Sequence, residues 1–406
     1  MKPLNSLYSA CILAMGLSTS LFSIAQTDNS EWNKTLEQAK GQTVYWNAWG
    51  GAENINAYID WVADRVESEY QVELKHVRIH DAANSVSRVL AEKTAGKDSD
   101  GSVDLIWLNG ENFRAMKENG LLYGPFSNDL PNYAAYVNPE ARQSLSQDFG
   151  TPVEGMESPW GMAQVIFMYD TATLDEPPRS MRELLAYAEK YPGRITYPEP
   201  PQFLGSTFLK QALHELTSNP VLLLKPVSEV DFDQVTAPLW RFLDKLHPVA
   251  WRRGAAFPAN SQEMMRLLDD REVDVALSFD VSAASVQIDQ GNLPDTVRSY
   301  VFKFGTIGNT HFVAIPYNSD AKAGAQVVAN FLLSPQAQAY KQNPTVWGDL
   351  TVLDYQKLEP AQQAAFDALP KGIATLSLDE LGTTLPEPHS SWMEALETEW
   401  RSRYAQ

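Results

Sequence analysis

The sequence predicts an α/β fold with two domains, each a mainly parallel β-sheet flanked by helices. The chain has 406 residues, of which 44% are apolar, and this is enough for two hydrophobic cores. Short β-prone runs alternate with stretches of helical spacing, an order typical of parallel sheets. This alternation occurs once before residue 120 and begins again near residue 161, which indicates two units of the same type.

In the first domain the pattern predicts three strands, each followed by a helix. The strands are predicted over 43–46, 72–79 and 103–108, and a turn is predicted over 47–51. Asp81 precedes the second helix and suits its N-cap. The buried helix faces are predicted to carry Ile55, Tyr58, Ile59, Val62 and Val66; Val86, Val89 and Leu90; and Phe113 and Met116.

In the second domain the strands are predicted over 161–169, 194–197 and 273–279. Ser180 has capping-box spacing to Glu183 and begins one helix, while Ser206 and Ser261 begin two others. The spacing of Trp392, Leu396 and Trp400 predicts a last helix that packs on this domain.

Residues 1–25 have the pattern of a secretory signal peptide. Lys2 precedes an apolar stretch, and Ser23-Ile24-Ala25 has small residues at the positions that a signal peptidase recognises. We therefore expect cleavage near Ala25 and a periplasmic protein. Cys11, the one cysteine of the sequence, lies in this segment, so the mature chain is expected to have neither disulfides nor thiol chemistry.

The chain is strongly acidic, with 51 Asp and Glu against 32 Lys and Arg and a net charge of −19. Proteins that bind nucleic acids or anionic membrane surfaces concentrate positive charge, so neither partner is expected. The sequence contains no Gly-x-Ser-x-Gly, Walker A or Gly-x-Gly-x-x-Gly motif. Chance pairs of carboxylates, such as Asp269 with Asp270 or Glu397 with Glu399, leave open a periplasmic hydrolase or lyase as the alternative function.

Two groups of motifs carry a resemblance to a known family. Residues 314–321 read Ala-Ile-Pro-Tyr-Asn-Ser-Asp-Ala, and residues 329–338 read Ala-Asn-Phe-Leu-Leu-Ser-Pro-Gln-Ala-Gln. They resemble a strand end and a helix pair of the extracellular solute-binding proteins, family 1, the periplasmic receptors of ABC importers. Residues 158–161 and 166–170 resemble the first hinge strand of that family. The pattern is similar to the YnjB-type branch.

The resemblance implies the two-lobed periplasmic-binding-protein fold of type II, hinged by crossover strands. It implies that a small solute is captured in the cleft between the lobes and delivered to an ABC permease and ATPase complex in the inner membrane. We expect lobe 1 to contain residues 26–160 and 309–345, and lobe 2 to contain residues 161–308 and 346–406. A monomer without cofactor or metal is expected.

Residues that line the cleft are expected at strand ends, where loops and helix N-termini converge. The candidates are Trp46, Asn47, Trp49, Asn109, Glu111 and Asn112 in the first lobe; Gln202, Ser206, Asp280 and Ser282 in the second; and Trp160, Asn309, Thr310 and His311 at the hinge.

Several of these candidates have a structural alternative. Trp49, beside two glycines, suits stacking on a planar or cationic solute, but equally suits anchoring its loop. Asn109 and Asn112 are typical of turns and helix caps. Asp280 suits either the counter-ion of a cationic solute or an N-cap. His311 suits packing within its strand.

The acidic composition and the many aromatic residues favour an organic cation as the solute, such as a thiamine-like compound or a polyamine. Ferric-iron binders of the resembling family use adjacent tyrosines, and this sequence has no Tyr-Tyr pair. Polyamine binders of that family place a Trp and an Asp where this chain has Gly-Asn-Thr-His at 308–311, which weakens the polyamine assignment.

Overall fold

The computed structural model describes residues 23–405 of the chain. Residues 1–22 of the predicted signal peptide, with Cys11, lie outside the described residues. Among the helices of residues 23–405, none has both the length and the apolar character that crossing a membrane requires.

The described chain alternates between helices and strands. The strands are β1 (Thr43–Trp49), β2 (Glu73–Ile79), β3 (Leu105–Leu108), β4 (Gln147–Asp148), β5 (Thr151–Pro152), β6 (Glu157–Gln164), β7 (Ile166–Asp170), β8 (Ala276–Ser278), β9 (Val297–Tyr300), β10 (Thr306–Ala314) and β11 (Thr384–Leu385). The helices are α1 (Ser23–Ala39), α2 (Glu53–Tyr70), α3 (Ala82–Thr94), α4 (Gly110–Glu118), α5 (Pro131–Tyr136), α6 (Met181–Lys190), α7 (Phe203–Leu216), α8 (Phe232–Leu246), α9 (Ser261–Asp269), α10 (Ala283–Asp289), α11 (Lys322–Leu332), α12 (Pro335–Gln342), α13 (Pro360–Asp367), α14 (Leu378–Leu381) and α15 (Ser391–Tyr404).

The first unit of the fold is a mixed sheet with helices on both faces. Strand β1 pairs in parallel with β2 and β3, and β10 pairs antiparallel with β3 and β6. Helices α2 and α11 cover one face, and α3 and α4 cover the other. Val44, Trp46 and Ala48 alternate along β1 and therefore point to one face of the sheet, where they are buried in the core that includes α2 and α11.

The second unit is built on a smaller sheet in which β7 lies between β8 and β9. Both pairings are antiparallel, which differs from the mainly parallel sheet expected from the strand–helix alternation. The core of this unit includes Phe167 stacked on Phe302, with their ring centroids 4.1 Å apart. Helix α15 buries Trp392, Leu396 and Trp400 in the same core, as the sequence predicts.

The prediction of one continuous strand over 161–169 is wrong, because the structure divides this segment between β6 and β7. The division falls at Val165, whose N–H donates to the carbonyl oxygen of Ile307 at 2.8 Å. Strand β6 belongs to the first sheet and β7 to the second, so this segment is a crossover between the units. The chain returns to the first unit along β10, between the buried residues Ile307 and Phe312.

A third crossover lies between Leu369, which packs on the first core, and Ala374, which is buried in the second. Residues before it, from Trp347 to Phe366, also belong to the first core. Because these residues pack on the first core, the structure differs from the lobe boundary that is expected after residue 345. The cause of this packing is an aromatic contact, since the Trp347 ring lies 5.4 Å from that of Trp160. The residue boundaries of the two lobes stay a prediction.

Among the other predictions for this part of the chain, two helix caps are confirmed, whereas a turn and a buried position are wrong. Asp81 and Ser180 cap α3 and α6 as predicted, accepting from the N–H groups of Ala83 and Glu183 at 2.8 and 3.0 Å. Residues 47–49 continue β1 instead of forming a turn, because they pair with β2. Leu90 is 40% exposed rather than buried.

Residues 194–197 do not form a strand. The carbonyl oxygens of Arg194 and Ile195 instead accept single hydrogen bonds from the N–H groups of Asp274 and Trp251. Helix α7 begins at Phe203, three residues before the predicted start at Ser206.

Candidate functional site

Two carboxylates, one from each unit, lie close enough to interact electrostatically where β3 ends. Glu111 lies in the first turn of α4, directly after β3, and Glu397 lies on α15. Burial raises the pKa of Glu111, and the negative charge of Glu397 raises it further. Burial also raises the pKa of Glu397, which accepts a hydrogen bond from the Ser206 hydroxyl at 2.6 Å. Helix α7 begins beside this pair.

A buried ion pair lies next to these carboxylates. The Lys210 ammonium on α7 contacts Glu387 Oε2 at 2.6 Å, and the two side chains are 1% and 3% exposed. The ammonium also lies 4.8 Å from the ring centroid of Phe149 and 5.4 Å from that of Phe203. The Asn309 amide on β10 donates to Glu387 Oε1 at 3.4 Å. The pair therefore links the second unit, the crossover strand and the β4–β5 loop of the first unit.

A cluster of indole rings lies beneath His311. The ring of Trp160 lies 4.9 Å from that of Trp107 and 5.3 Å from that of Trp46, both edge-on. Trp107 in turn lies 5.3 Å from the imidazole of His311. Trp107 is the partly exposed member of this cluster, so it presents an aromatic surface at the end of β3.

The imidazole of His311 belongs to a buried charge network. Its Nε2 donates to Asp349 Oδ1 at 3.0 Å, and the Lys341 ammonium binds the other carboxylate oxygen. Burial opposes ionisation of Asp349, but Lys341 and His311 hold its pKa below the ordinary value. His311 is thus packed and hydrogen-bonded, in agreement with the structural alternative.

Asp280 and Ser282 form a second contact between the units. The Ser282 hydroxyl donates to the Gly348 carbonyl oxygen at 3.1 Å, and Asp280 Oδ1 accepts from the Ser282 N–H at 2.9 Å. Burial raises the pKa of Asp280 to about 7, and the charge of Asp349 adds to this effect. Asp280 therefore stabilises the turn before α10 through its bond to Ser282, and it also lies between the two units.

Among the other first-lobe candidates, two are enclosed in the core. Trp46 is fully buried, and the Asn47 amide donates to the Ser85 hydroxyl at 2.9 Å. Packing accounts for both, and their contact with a solute stays a prediction. Trp49 is 38% exposed, and its indole folds over Gly51, where a Cβ would meet the ring at 2.2 Å. The glycine is thus required by a close approach of Trp49.

Four further candidates make hydrogen bonds to neighbouring residues of the protein. The Asn109 amide donates to the Thr310 carbonyl oxygen at 2.6 Å, while the Thr310 hydroxyl donates to that of Ser144 at 3.1 Å. The Asn112 amide donates to Glu111 Oε1 at 3.3 Å. Gln202 caps α7 by accepting from the Leu204 and Gly205 N–H groups.

The sequence did not single out several residues that the structure brings to this region. They are Trp107, Phe149, Phe203, Lys210 and Glu387. Lys210 could have been identified from the sequence, because it lies on a helix between apolar positions that the spacing predicts to be buried. A lysine in such a position needs a buried partner. The sequence gives no such indication for Glu387, because it lies in an irregular segment 177 residues away from Lys210.

Of the carboxylates that left an enzyme open, Asp269 and Asp270 are exposed and Glu399 is paired with an arginine, whereas Glu397 is the partly buried carboxylate described above. Asp270 accepts from Arg266 at 2.9 Å, and Glu399 accepts from Arg403 at 2.7 Å. Within residues 23–405 no group of three or more His, Cys, Asp or Glu side chains is arranged to hold a metal ion.

Comparison with known proteins assigns this architecture to a family. The model of the bacterial extracellular solute-binding proteins matches residues 61–365. Protein YnjB of Escherichia coli (strain K12) is 45% identical over 395 residues, covering 97% of this chain and 98% of that protein.

Solved structures of low sequence identity share the fold. A periplasmic thiamin binding protein has a TM-score of 0.60 at 19% identity, covering 89% of this chain and 95% of its own. A putative spermidine/putrescine ABC transporter from Listeria monocytogenes has a TM-score of 0.61 at 17% identity, covering 89% and 98%. The matched family consists of substrate-binding proteins that have a small solute and an ABC permease as partners, not of enzymes. This chain therefore belongs to the bacterial extracellular solute-binding proteins and is a receptor of an ABC importer.

Proposed function

We propose that the solute is an organic cation and that it binds between Glu111 of the first lobe and Glu397 of the second. The observation that carries this proposal is the approach of two carboxylates from opposite units. Within residues 23–405 neither makes an ion pair. A cation placed between them would relieve the repulsion that raises the pKa of Glu111 and would hold the lobes together.

Aromatic surfaces nearby support a cationic solute. Phe203 is 37% exposed beside Ser206, and Trp107 and Trp49 present ring surface at the ends of β3 and β1. Aromatic faces attract cations, most strongly where water is excluded. Two structures that share the fold carry the names of a thiamin and a spermidine/putrescine protein, which makes thiamin, spermidine and putrescine the first compounds to test.

The proposed mechanism is closure of the cleft around the solute. The solute stabilises the closed state only through contacts that the open state lacks, so a solute touching both carboxylates drives closure. The remaining candidates for the binding surface are Asn112, Ser206, Asp280, Asn309, Thr310 and His311. We further propose cleavage near Ala25, a monomeric receptor, and delivery to a permease that works with an ATPase.

Thermal unfolding of the mature protein with a panel of compounds tests the proposal. The panel contains thiamine, putrescine and spermidine as cations, with glucose and phosphate as neutral and anionic controls. A compound present at about 100 times its Kd adds roughly 2.7 kcal/mol to the free energy of unfolding. A rise in Tm of several degrees with a cation alone supports the proposal. A rise with glucose or phosphate and none with any cation contradicts it.

A further inference from the structure

The Lys210 ammonium is a buried cation beside the proposed solute-binding carboxylates. It lies between the rings of Phe149 and Phe203 and contacts Glu387, an environment of carboxylate and aromatic faces that also suits a bound organic cation. Its charge reaches the proposed solute-binding carboxylates as well, since it opposes the rise in pKa of both Glu111 and Glu397.

Stability alone does not explain a buried ion pair at this place. Removing two charges from water costs more than their attraction commonly returns, and apolar residues of similar volume often stabilise a protein as well or better. The buried face of α7 carries Leu209 and Ala212 beside polar residues such as Gln211, and a methionine at position 210 would keep the length of the lysine side chain without its charge. Because stability does not explain the charge of Lys210, we look for its role in solute binding.

The charge balance of the cleft suggests what that role is. Three carboxylates, those of Glu111, Glu387 and Glu397, lie near the ammonium. A fourth, Asp148, is buried near Glu111 and Glu387, has its pKa raised by burial, and accepts from the Gly110 N–H at 2.6 Å. Lys210 neutralises Glu387 by direct contact at 2.6 Å, which leaves Glu111 and Glu397 for the solute. Without Lys210 the same cleft would present one more negative charge, on Glu387.

We propose that Lys210 is a specificity-determining residue that sets how many positive charges the cleft accepts. Neutralising Glu387 keeps the third carboxylate from recruiting a second ammonium of the solute. This inference rests on the proposed function, because it concerns the charge selectivity of the same cleft.

Two probes that differ by one ammonium measure this selectivity. Butylammonium carries one positive charge, and putrescine carries a second on the same four-carbon chain. Titration calorimetry gives the ratio of the two Kd values for the wild-type protein, K210M, E387Q, the K210M/E387Q double variant and K210R. A unit charge within about 8 Å, at an effective dielectric constant of about 20, changes an affinity on the order of tenfold or more.

The account predicts opposite shifts for the two single variants. K210M should increase the preference for putrescine by roughly tenfold, whereas E387Q should decrease it by a similar factor. The double variant and K210R should keep the wild-type preference within about twofold, because the local charge is unchanged. If K210M does not fold, the comparison of E387Q with the double variant gives the same test.

The possible results separate this inference from the proposed function. If the wild-type protein binds neither probe nor any cation of the panel, the proposed function is wrong and this inference with it. If the wild-type protein binds cations but every variant keeps the same preference, Lys210 has only a structural role and this inference alone is overturned.

Discussion

The hydroxyl of Ser282 donates to the carbonyl oxygen of Gly348 at 3.1 Å, and this bond joins the second unit to the first. Ser282 precedes α10 between the buried residues Val281 and Ala283 of the second core. Gly348 follows Trp347, which is buried in the first core. A bond between two bodies that move on closure contributes to the closed state and not to either core.

Replacing Ser282 by alanine should therefore weaken solute binding with little effect on folding. We expect S282A to raise the Kd of the bound cation about three- to tenfold, in line with one neutral hydrogen bond. S285A is the matched control, because Ser285 contacts Thr375 within the second unit at 2.8 Å. Calorimetric titration and chemical unfolding of both variants measure the effect. Equal affinity for S282A and wild type would show that the bond does not favour closure.

Trp160 and Trp49 should respond to truncation in opposite ways. Trp160 is fully buried among other indoles, so W160A should lower the free energy of unfolding by about 3–5 kcal/mol. Trp49 is 38% exposed, so W49A should weaken solute binding and change stability by less than about 1 kcal/mol. Denaturant titrations and binding assays on both variants distinguish these effects. Lost stability with unchanged binding in W49A would identify Trp49 as a loop anchor.

His247 should make the fold less stable in acid. Burial lowers its pKa from 6.5 to about 4, and its Nε2 accepts from the Tyr197 hydroxyl at 2.8 Å. Because the folded state holds the imidazole neutral, its contribution is present above pH 6.5 and is lost as the pH falls toward 4. The loss is about 2 kcal/mol by pH 5.

Unfolding free energies at pH 7 and pH 5 check the role of His247. The difference between wild type and H247Q should narrow by about 2 kcal/mol at the lower pH, because the glutamine does not titrate. H80Q serves as the control, since His80 is exposed. A constant difference between wild type and H247Q at both pH values would show that His247 is not held neutral.

The sequence predicts the parts of the fold that depend on local pattern. Asp81 and Ser180 cap their helices as predicted. Capping depends only on a short polar side chain that directly precedes the helix, so it can be predicted from the local sequence. The sequence does not reveal the change of sheet at Val165, because the residues from Ala163 to Met168 are all buried and only Gln164 among them is polar. Which sheet a buried strand joins depends on partners far along the chain.

The candidate site is predictable to the extent that it follows strand ends. Glu111 and Asn109 lie directly after β3, and the structure brings Glu111 to the boundary between the units. Glu397 lies on α15, and Glu387 follows β11, a two-residue strand parallel to β10 that the sequence pattern does not predict. Their positions depend on the third crossover, which the sequence placed near residue 345 although Trp347 packs on Trp160.

The most direct test of the account is titration calorimetry of E111Q, E397Q and E399Q with the cation that stabilises the wild-type protein most. Glutamine keeps the volume and removes the charge, and Glu399 is two residues from Glu397 but already paired with Arg403. The account predicts that E111Q and E397Q each weaken binding at least tenfold, about 1.4 kcal/mol, whereas E399Q stays within about twofold. Wild-type affinity in both E111Q and E397Q would contradict the account.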